Sequence, residues 1–289
     1  MALSLVRFRI LIACLCMLGI VAVAITLKTY SDLLPLPHSL DIGSSGIVKP
    51  GVVDRNGKPL SVTYLNPWNT SQKPLYQFPD LLVRAFVESE DRRFYRHGGV
   101  DWLARAHALA RNILAGRAVR GASTISEQVI RMLHPRPRTV WSRWVEGVEA
   151  ARLEERFSKS EILEFYLNQV PYAHQRRGVA EAARFYFDRE LETLNARETL
   201  ALVVIVRAPS RLDLKRAPKA LEKSIFRLAQ HMHGHGYLSD VQHNAAITGK
   251  FEFSHSDGII EASHFVQHVL NHPGAGERLP GAIITSSLD

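Results

Sequence analysis

The chain has 289 residues, 46% of them hydrophobic and 22% charged, with 36 Lys and Arg against 28 Asp and Glu for a formal net charge of +8. This balance excludes a disordered or low-complexity protein and leaves room for one large domain or two modest ones, at roughly 100 to 200 residues per domain. Both cysteines, Cys14 and Cys16, lie at the extreme N-terminus, which excludes a disulfide scaffold and a cysteine-based zinc site further along.

Residues 10–27 run for 18 residues without a charge, the lower end of what crosses a hydrocarbon core of about 30 Å. Arg7 and Arg9 precede the run and Lys28 follows it, a bias that favours a cytoplasmic N-terminus and an exported remainder. Ala22-Val23-Ala24 is a small-residue cleavage site, yet the apolar stretch continues past it through Ile25 and Leu27. We therefore read a retained anchor, with a cleaved signal as the alternative. Pro35, Pro37 and the glycines of 43–51 predict an extended linker. Two apolar runs around Asn56-Gly57, within 52–62, predict a β-hairpin. From Leu81 the period becomes helical. Ser158 with Glu161, Asn195 with Glu198 and Ser239 with Gln242 open helices with capping-box chemistry, and Pro209 ends the second of these. No internal repeat is present, and 81–250 predicts one α-rich domain. The Gly- and Pro-rich stretch 271–289 has no helix pattern.

The charge is unevenly placed. Between Arg105 and Arg143 there are eight arginines and one acid, Glu127. Such a run is either a solvated basic face or a seat for an anion. Nucleic acid fits poorly with an exported chain that lacks a recognisable nucleic-acid module, whereas phosphate at a membrane surface, from head groups or a pyrophosphate-bearing substrate, fits well. Candidate chemistry begins at Glu88, Glu90 and Asp91, which end an apolar segment and lead into a stretch with His97 and Asp101. Neighbours in sequence point about 100° apart on a helix, so only one of Glu90 and Asp91 faces a given cleft. Residues 121–132 bring Gly121, Ser123, Thr124 and Gln128 to the start of a short helix, a cradle for an oxyanion. Glu146 lies in a segment that reads more simply as an ordinary amphipathic helix.

In order and content these segments resemble glycosyltransferase family 51, the peptidoglycan glycosyltransferases of class A penicillin-binding proteins and monofunctional enzymes. The first motif resembles Glu90-Asp-Arg-Arg-Phe-Tyr-Arg-His97-Gly-Gly-Val-Asp101, the second Gly121-Ala-Ser-Thr-Ile-Ser-Glu-Gln128 and the third Arg143-Trp-Val-Glu146. The fourth and fifth resemble Arg177-Gly178 through Tyr186-Phe187 and Arg207-Ala-Pro-Ser210. The stretches HPRPRT and RAPSRL are most similar to the 1C type. The resemblance implies a mainly α, lysozyme-like domain with a small N-terminal β-hairpin and a single N-terminal transmembrane helix. It divides the chain into an anchor (1–28), a linker and hairpin region (29–80), the glycosyltransferase domain (81–250) and a tail similar to the link to a transpeptidase (251–289).

It further implies polymerisation of lipid II into β-1,4 glycan with inversion. Glu90 is then the general base and Glu146 the second catalytic glutamate. Asp91, Phe94, His97, Ser123, Thr124, Gln128, Arg131 and Arg143 are implied as substrate-binding. Lipid II, the growing glycan, the membrane and other cell-wall synthesis proteins are implied as partners, with no nucleic acid. A divalent cation, Mg or Mn, at the donor pyrophosphate is the cofactor the resemblance allows, and no metal ligand set is visible. The implied location is the bacterial inner membrane with the catalytic domain on its outer, periplasmic side.

Four positions depart from the family pattern. Ala122, Glu127 and Arg131 replace a Gly, a Gln and a Lys, and Ser142 replaces one cation of the third motif. Glu127 is expected to add negative charge near the phosphate. A register that replaces Glu146 by Gly147 breaks the spacing to Ser158 and is rejected. None of the nine lysines has a serine three positions before it, so the Ser-x-x-Lys of a penicillin-reactive site is absent from this sequence. Alternative readings are a non-catalytic scaffold that binds lipid II, a lysozyme-like hydrolase, and a metal site at His231, His233 and His235, where surface histidines after a helix are the simpler account.

Overall fold

The computed structural model describes residues 2–42, 51–57, 68–69, 72–116, 122–173, 176–207, 218–251, 265–266, 268–269 and 283–287. Helix starts are fixed by side chains that accept from the unpaired first-turn N–H groups. Capping boxes open α4 (Ile125–Leu133, Thr124 with Glu127), α6 (Lys159–Gln169, Ser158 with Glu161), α8 (Ala196–Val206, Asn195 with Glu198) and α10 (Asp240–Thr248, Ser239 with Gln242). Single caps open α3 (Trp102–Leu114), where Asp101 accepts from Ala104 N, and α5 (Val140–Arg156), where Thr139 accepts from Ser142 N. The remaining helices are α1 (Ala2–Asp32), α2 (Asp80–Glu90), α7 (Val179–Phe187) and α9 (Pro218–Gly234).

Around α8 the domain is built as a shell. Every residue from Arg197 to Val206 in that helix is buried, and from Leu200 onward its sequence is apolar on all sides rather than along one stripe. It packs against α2, α9 and α10, while α4 packs against α5 and α6. Phe86, Phe94, Ile125, Ile130, Leu153 and Tyr166 belong to one continuous core that joins the two groups. That core sets the end of α2 against α4 and α4 against α5.

The anchor helix continues to Asp32, past the expected boundary at 28. Its segment Leu11–Asp32 is long and apolar enough to cross a membrane, and from Leu11 to Lys28 its residues are exposed. The stretch 33–42, expected as a linker, is docked: Leu40 is buried, and Leu36 and Ile42 pack on the main core.

Of the expected hairpin, the described residues hold the first strand and the turn. The turn itself is present, with Gly57 N donating to Asp54 O at 3.1 Å. However, β1 (Gly51–Val53) pairs in parallel with β2 (Ile283–Thr285), in the register Gly51↔Ile283, Val52↔Ile284, Val53↔Thr285. The second hairpin strand, within 58–62, lies outside the described residues, as does Pro209. The C-terminal stretch had shown no element because β2 is a three-residue strand whose partner is far away in the chain.

Gly99 is where the segment after α2 crosses α5. Its φ is +82°, and a Cβ there would stand 2.4 Å from Ala151 N. Positive φ alone costs about 1–2 kcal/mol; the backbone clash raises the cost of Gly99→Ala to about 3 kcal/mol, a fall in Tm of about 6–12 °C for a domain of this size. Gly57→Ala, with similar φ but open space around the Cβ, is the control and should lower Tm by the smaller amount of about 2–8 °C. Thermal unfolding followed by circular dichroism checks both.

Candidate active site

Two carboxylates meet one face of α4. Glu90, the last residue of α2, accepts from Gln128 Nε2 at 3.2 Å, and Glu146 of α5 accepts from Arg131 Nη2 at 2.8 Å. Gln128 and Arg131 are three residues apart on α4 and therefore neighbours on its surface. The helix thus holds both glutamates by adjacent side chains. Both are largely shielded, Glu90 with 11% and Glu146 with 5% of the side chain exposed. Arg131 Nη2 also lies 3.5 Å from Ser123 Oγ.

Glu90 is the more finely set of the two. Burial pushes its carboxyl above the ordinary value, while the Arg207 guanidinium and the hydrogen bonds from Gln128 and Ser89 pull it back. Arg207 Nε stands 3.3 Å from Glu90 Oε1, and its Nη2 donates to Ser89 O at 3.2 Å. Behind Gln128, the buried Tyr166 hydroxyl donates to Gln128 Oε1 at 3.3 Å, which fixes the amide so that its N–H faces Glu90. A carboxylate with raised proton affinity, oriented by neutral and cationic donors, is suited to take a proton from an attacking hydroxyl.

Asp91, Phe94, His97 and Thr124, expected to bind substrate, form a frame beneath the site. Asp91 is buried and accepts from Ile125 N at 2.9 Å and from His97 Nε2 at 3.0 Å. Thr124 Oγ1 donates to Gly99 O at 2.6 Å. Phe94 is fully buried beneath the Lys159 ammonium, 4.3 Å from its ring centre. The bonds of Asp91 with Ile125 N and His97 Nε2 and of Thr124 with Gly99 O tie the first motif to the start of α4.

Glu127 is the clearest correction. It was expected to place negative charge by the phosphate, but it is the third residue of α4, buried, accepting from Thr124 N at 2.8 Å and paired with Arg105. Burial raises its proton affinity, and the Thr124 amide and Arg105 offset this. A capping box accepts Glu or Gln at this position, which accounts for the departure. Ser142 is likewise buried, bonded to Thr139 Oγ1 at 2.8 Å at the start of α5. Gly147 lies under Arg105 and Val100, whereas Glu146 meets Arg131. Arg143, in the first turn of α5, is exposed and has no ion-pair partner among the described residues.

Sequence reasoning left Arg207 and Tyr166 out of the site. Arg207 was quoted only as the start of a motif; its neighbour Ser210 and Gly121 of the second motif lie outside the described residues. Among the described residues no three His, Cys, Asp or Glu side chains converge. His231 faces Glu88 at 2.9 Å, His233 faces Asp240 at 2.8 Å, and His235 Nδ1 lies 2.8 Å from His231 O.

A transglycosylase family model matches residues 56–233. Penicillin-binding protein 1F of Bacillus subtilis is 32% identical over 189 residues, 65% of this chain and 26% of that protein. Penicillin-binding protein 1B of Escherichia coli is 35% identical over 183 residues, 60% of this chain and 22% of that protein. The crystal structure of penicillin-binding protein 1A from Haemophilus influenzae aligns with a TM-score of 0.46 at 18% identity, covering 82% of this chain and 26% of that one. The chain spans about a quarter of the length of these relatives.

Asp91→Ala leaves two buried donors, Ile125 N and His97 Nε2, without their acceptor. At about 1–3 kcal/mol for each unmet buried group, urea unfolding should show a loss of about 2–5 kcal/mol. A loss below about 1 kcal/mol would contradict the framing role of Asp91.

Proposed function

The chain belongs to the transglycosylase family, and on that premise we propose that it is a peptidoglycan glycosyltransferase that polymerises lipid II at a membrane. The observation that carries this reading is the pair of shielded glutamates, Glu90 and Glu146, held by adjacent side chains of α4. In the proposed reaction the 4-hydroxyl of the acceptor GlcNAc attacks the anomeric carbon of the donor MurNAc. Its proton passes to the Glu90 carboxylate, and the carbon–oxygen bond to the lipid pyrophosphate breaks with its electron pair on the phosphate oxygen. Attack from the face opposite the leaving group turns the α linkage into β. The leaving group is already a stable anion, so fixed cations matter more than a protonating acid. Arg131, a third exposed and so reachable, and the exposed Arg143 supply them. The developing pyrophosphate charge competes with Glu146 for Arg131.

Membrane contact is supported at two places. One is the anchor helix. The other is α3, whose Trp102, Leu103, Leu109, Ile113 and Leu114 are exposed while only Ala108 is buried. An apolar helix face interleaved with Arg105 and Arg111 suits the boundary between head groups and acyl chains. An outward-facing catalytic domain is the orientation we propose from the charges flanking the anchor. The 1C-type affinity rests on HPRPRT and on RAPSRL, of which only Arg207 is described. A divalent cation at the pyrophosphate would be held chiefly by phosphate oxygens, since no protein cage for it is present among the described residues.

Glu90→Gln keeps shape and removes the proton acceptor, so glycan formation from labelled lipid II should fall about 10²- to 10⁴-fold with the fold intact by circular dichroism. Parent-like rates would refute the assignment.

The pH profile gives a second check. Glu90 must be ionised to act, and its proton affinity is raised, so the rate should fall on the acid side above the ordinary carboxyl value of 4.5. Arg207→Ala removes the largest influence holding that value down, and the acid limb should move to higher pH. An unmoved limb would detach Glu90 from the rate-limiting proton transfer.

Arg131→Gln should weaken donor use about tenfold or more, because charge-assisted contacts to phosphate are roughly twice as strong as neutral ones. Initial rates against lipid II concentration measure it.

A further inference from the structure

Glu149 stands one turn beyond Glu146 on α5, with no part of its side chain exposed. A carboxylate so placed has to be met by several donors, and all of them come from outside α5. Arg136 approaches with Nη1 at 2.7 Å and Nη2 at 2.6 Å, His134 Nδ1 lies at 2.9 Å, and the Leu34 backbone N–H donates at 2.8 Å. Burial alone would raise the proton affinity of Glu149. The contacts with His134, Arg136 and Leu34 overcome it and hold the pKa at about 2, so the group is ionised throughout the working range.

The donors belong to two other elements. His134 caps the end of α4, and Arg136 is two residues further on. Leu34 follows the anchor helix. The same junction has further ties: Arg136 Nη2 donates to Asp32 O at 3.1 Å, Trp141 Nε1 to Asp32 Oδ2 at 2.7 Å, Trp144 Nε1 to Thr29 Oγ1 at 3.0 Å and Arg156 Nη1 to Leu36 O at 3.4 Å. The anchor's last turn is therefore bonded to α5 and to the segment leaving α4.

A flexible tether would suffice to keep a catalytic domain near its membrane. A buried ion cluster is also a poor way to gain stability, since apolar residues of similar size usually pack as well or better. What directional bonds to a buried charge add is a fixed orientation. Glu149 lies three residues from Glu146 on the same helix, and His134 lies three from Arg131. The junction is thus one turn away from both members of the Arg131–Glu146 pair.

We propose that Glu149 is a positioning residue that locks the end of the anchor helix to α4 and α5, so that Arg131, Arg143 and Glu146 meet a lipid-borne pyrophosphate at one height and one orientation. The junction stands on geometry alone; its catalytic purpose rests on the glycosyltransferase reading above.

The test uses the full chain in phosphatidylcholine–phosphatidylglycerol vesicles, with Cys14 and Cys16 changed to Ser and spin labels at Tyr30→Cys and Glu155→Cys, both exposed positions. Pulsed electron paramagnetic resonance reads the distance between anchor and α5, independently of activity. Two variants release the junction: Glu149→Gln, and the double change Trp141→Phe with Trp144→Phe, which removes only indole donors to the anchor and leaves the core alone. The expected result is a narrow distribution in the labelled parent and one about twice as broad in both variants, with kcat on lipid II lowered about tenfold at nearly constant KM. Folded variants that keep the narrow distribution overturn the junction, and broadened variants with parent-like kcat overturn its positioning role. Broadened distances with no turnover even in the parent would leave the junction standing and bring down the glycosyltransferase reading instead.

Discussion

A general base has to be charged to act, and charging a carboxyl away from water is costly; in the role proposed for Glu90, its surroundings are organised by that conflict. Burial at the end of α2 raises the proton affinity of the group, and Arg207, Gln128 and Ser89 keep it ionisable. Each of these partners needs its own support. Gln128 is held by Tyr166 from α6, and Arg207 leaves the end of α8, the helix buried on every side. The placement of one carboxylate thus depends on α2, α4, α6 and α8 packing as a unit. That dependence explains why so many polar groups of the first two motifs, Asp91, His97 and Thr124 among them, face each other below the site.

The second carboxylate connects this centre to the membrane side of the molecule. Glu146 shares the α4 face through Arg131, and its own helix α5, one turn further on, receives the anchor through Glu149. A substrate with its reactive bond next to a lipid pyrophosphate stays at a fixed depth. An enzyme bonded firmly to its own anchor meets it with fewer orientations to search. The exposed apolar face of α3 is the second line of contact proposed for the same boundary.

Much of this was legible in the sequence where the signal is local. The capping pairs at Ser158, Asn195 and Ser239 marked helix starts that the structure reproduces, because a cap is a matter of three or four consecutive residues. Locality also misled: Glu127 was read as a charge in the pocket when its spacing from Thr124 made it the capping-box partner. Contacts formed across the chain left no such trace. Arg207 reaches Glu90 from more than a hundred residues away, and β1 finds its partner near the C-terminus, so neither has a periodicity to betray it. Glu149 looked like one more acid on an amphipathic helix. Its importance comes from Leu34, His134 and Arg136, which only the packed structure brings to it.

The central claim is that the glutamates gathered on α4 form a working polymerase site. The most direct measurement is incubation of the purified full-length chain with labelled lipid II in detergent, with products resolved by length on a gel. The account predicts long glycan strands and equimolar release of lipid pyrophosphate per bond formed. Tight binding of lipid II with no product under any detergent or cation condition would contradict it, and would make the chain a lipid II-binding scaffold.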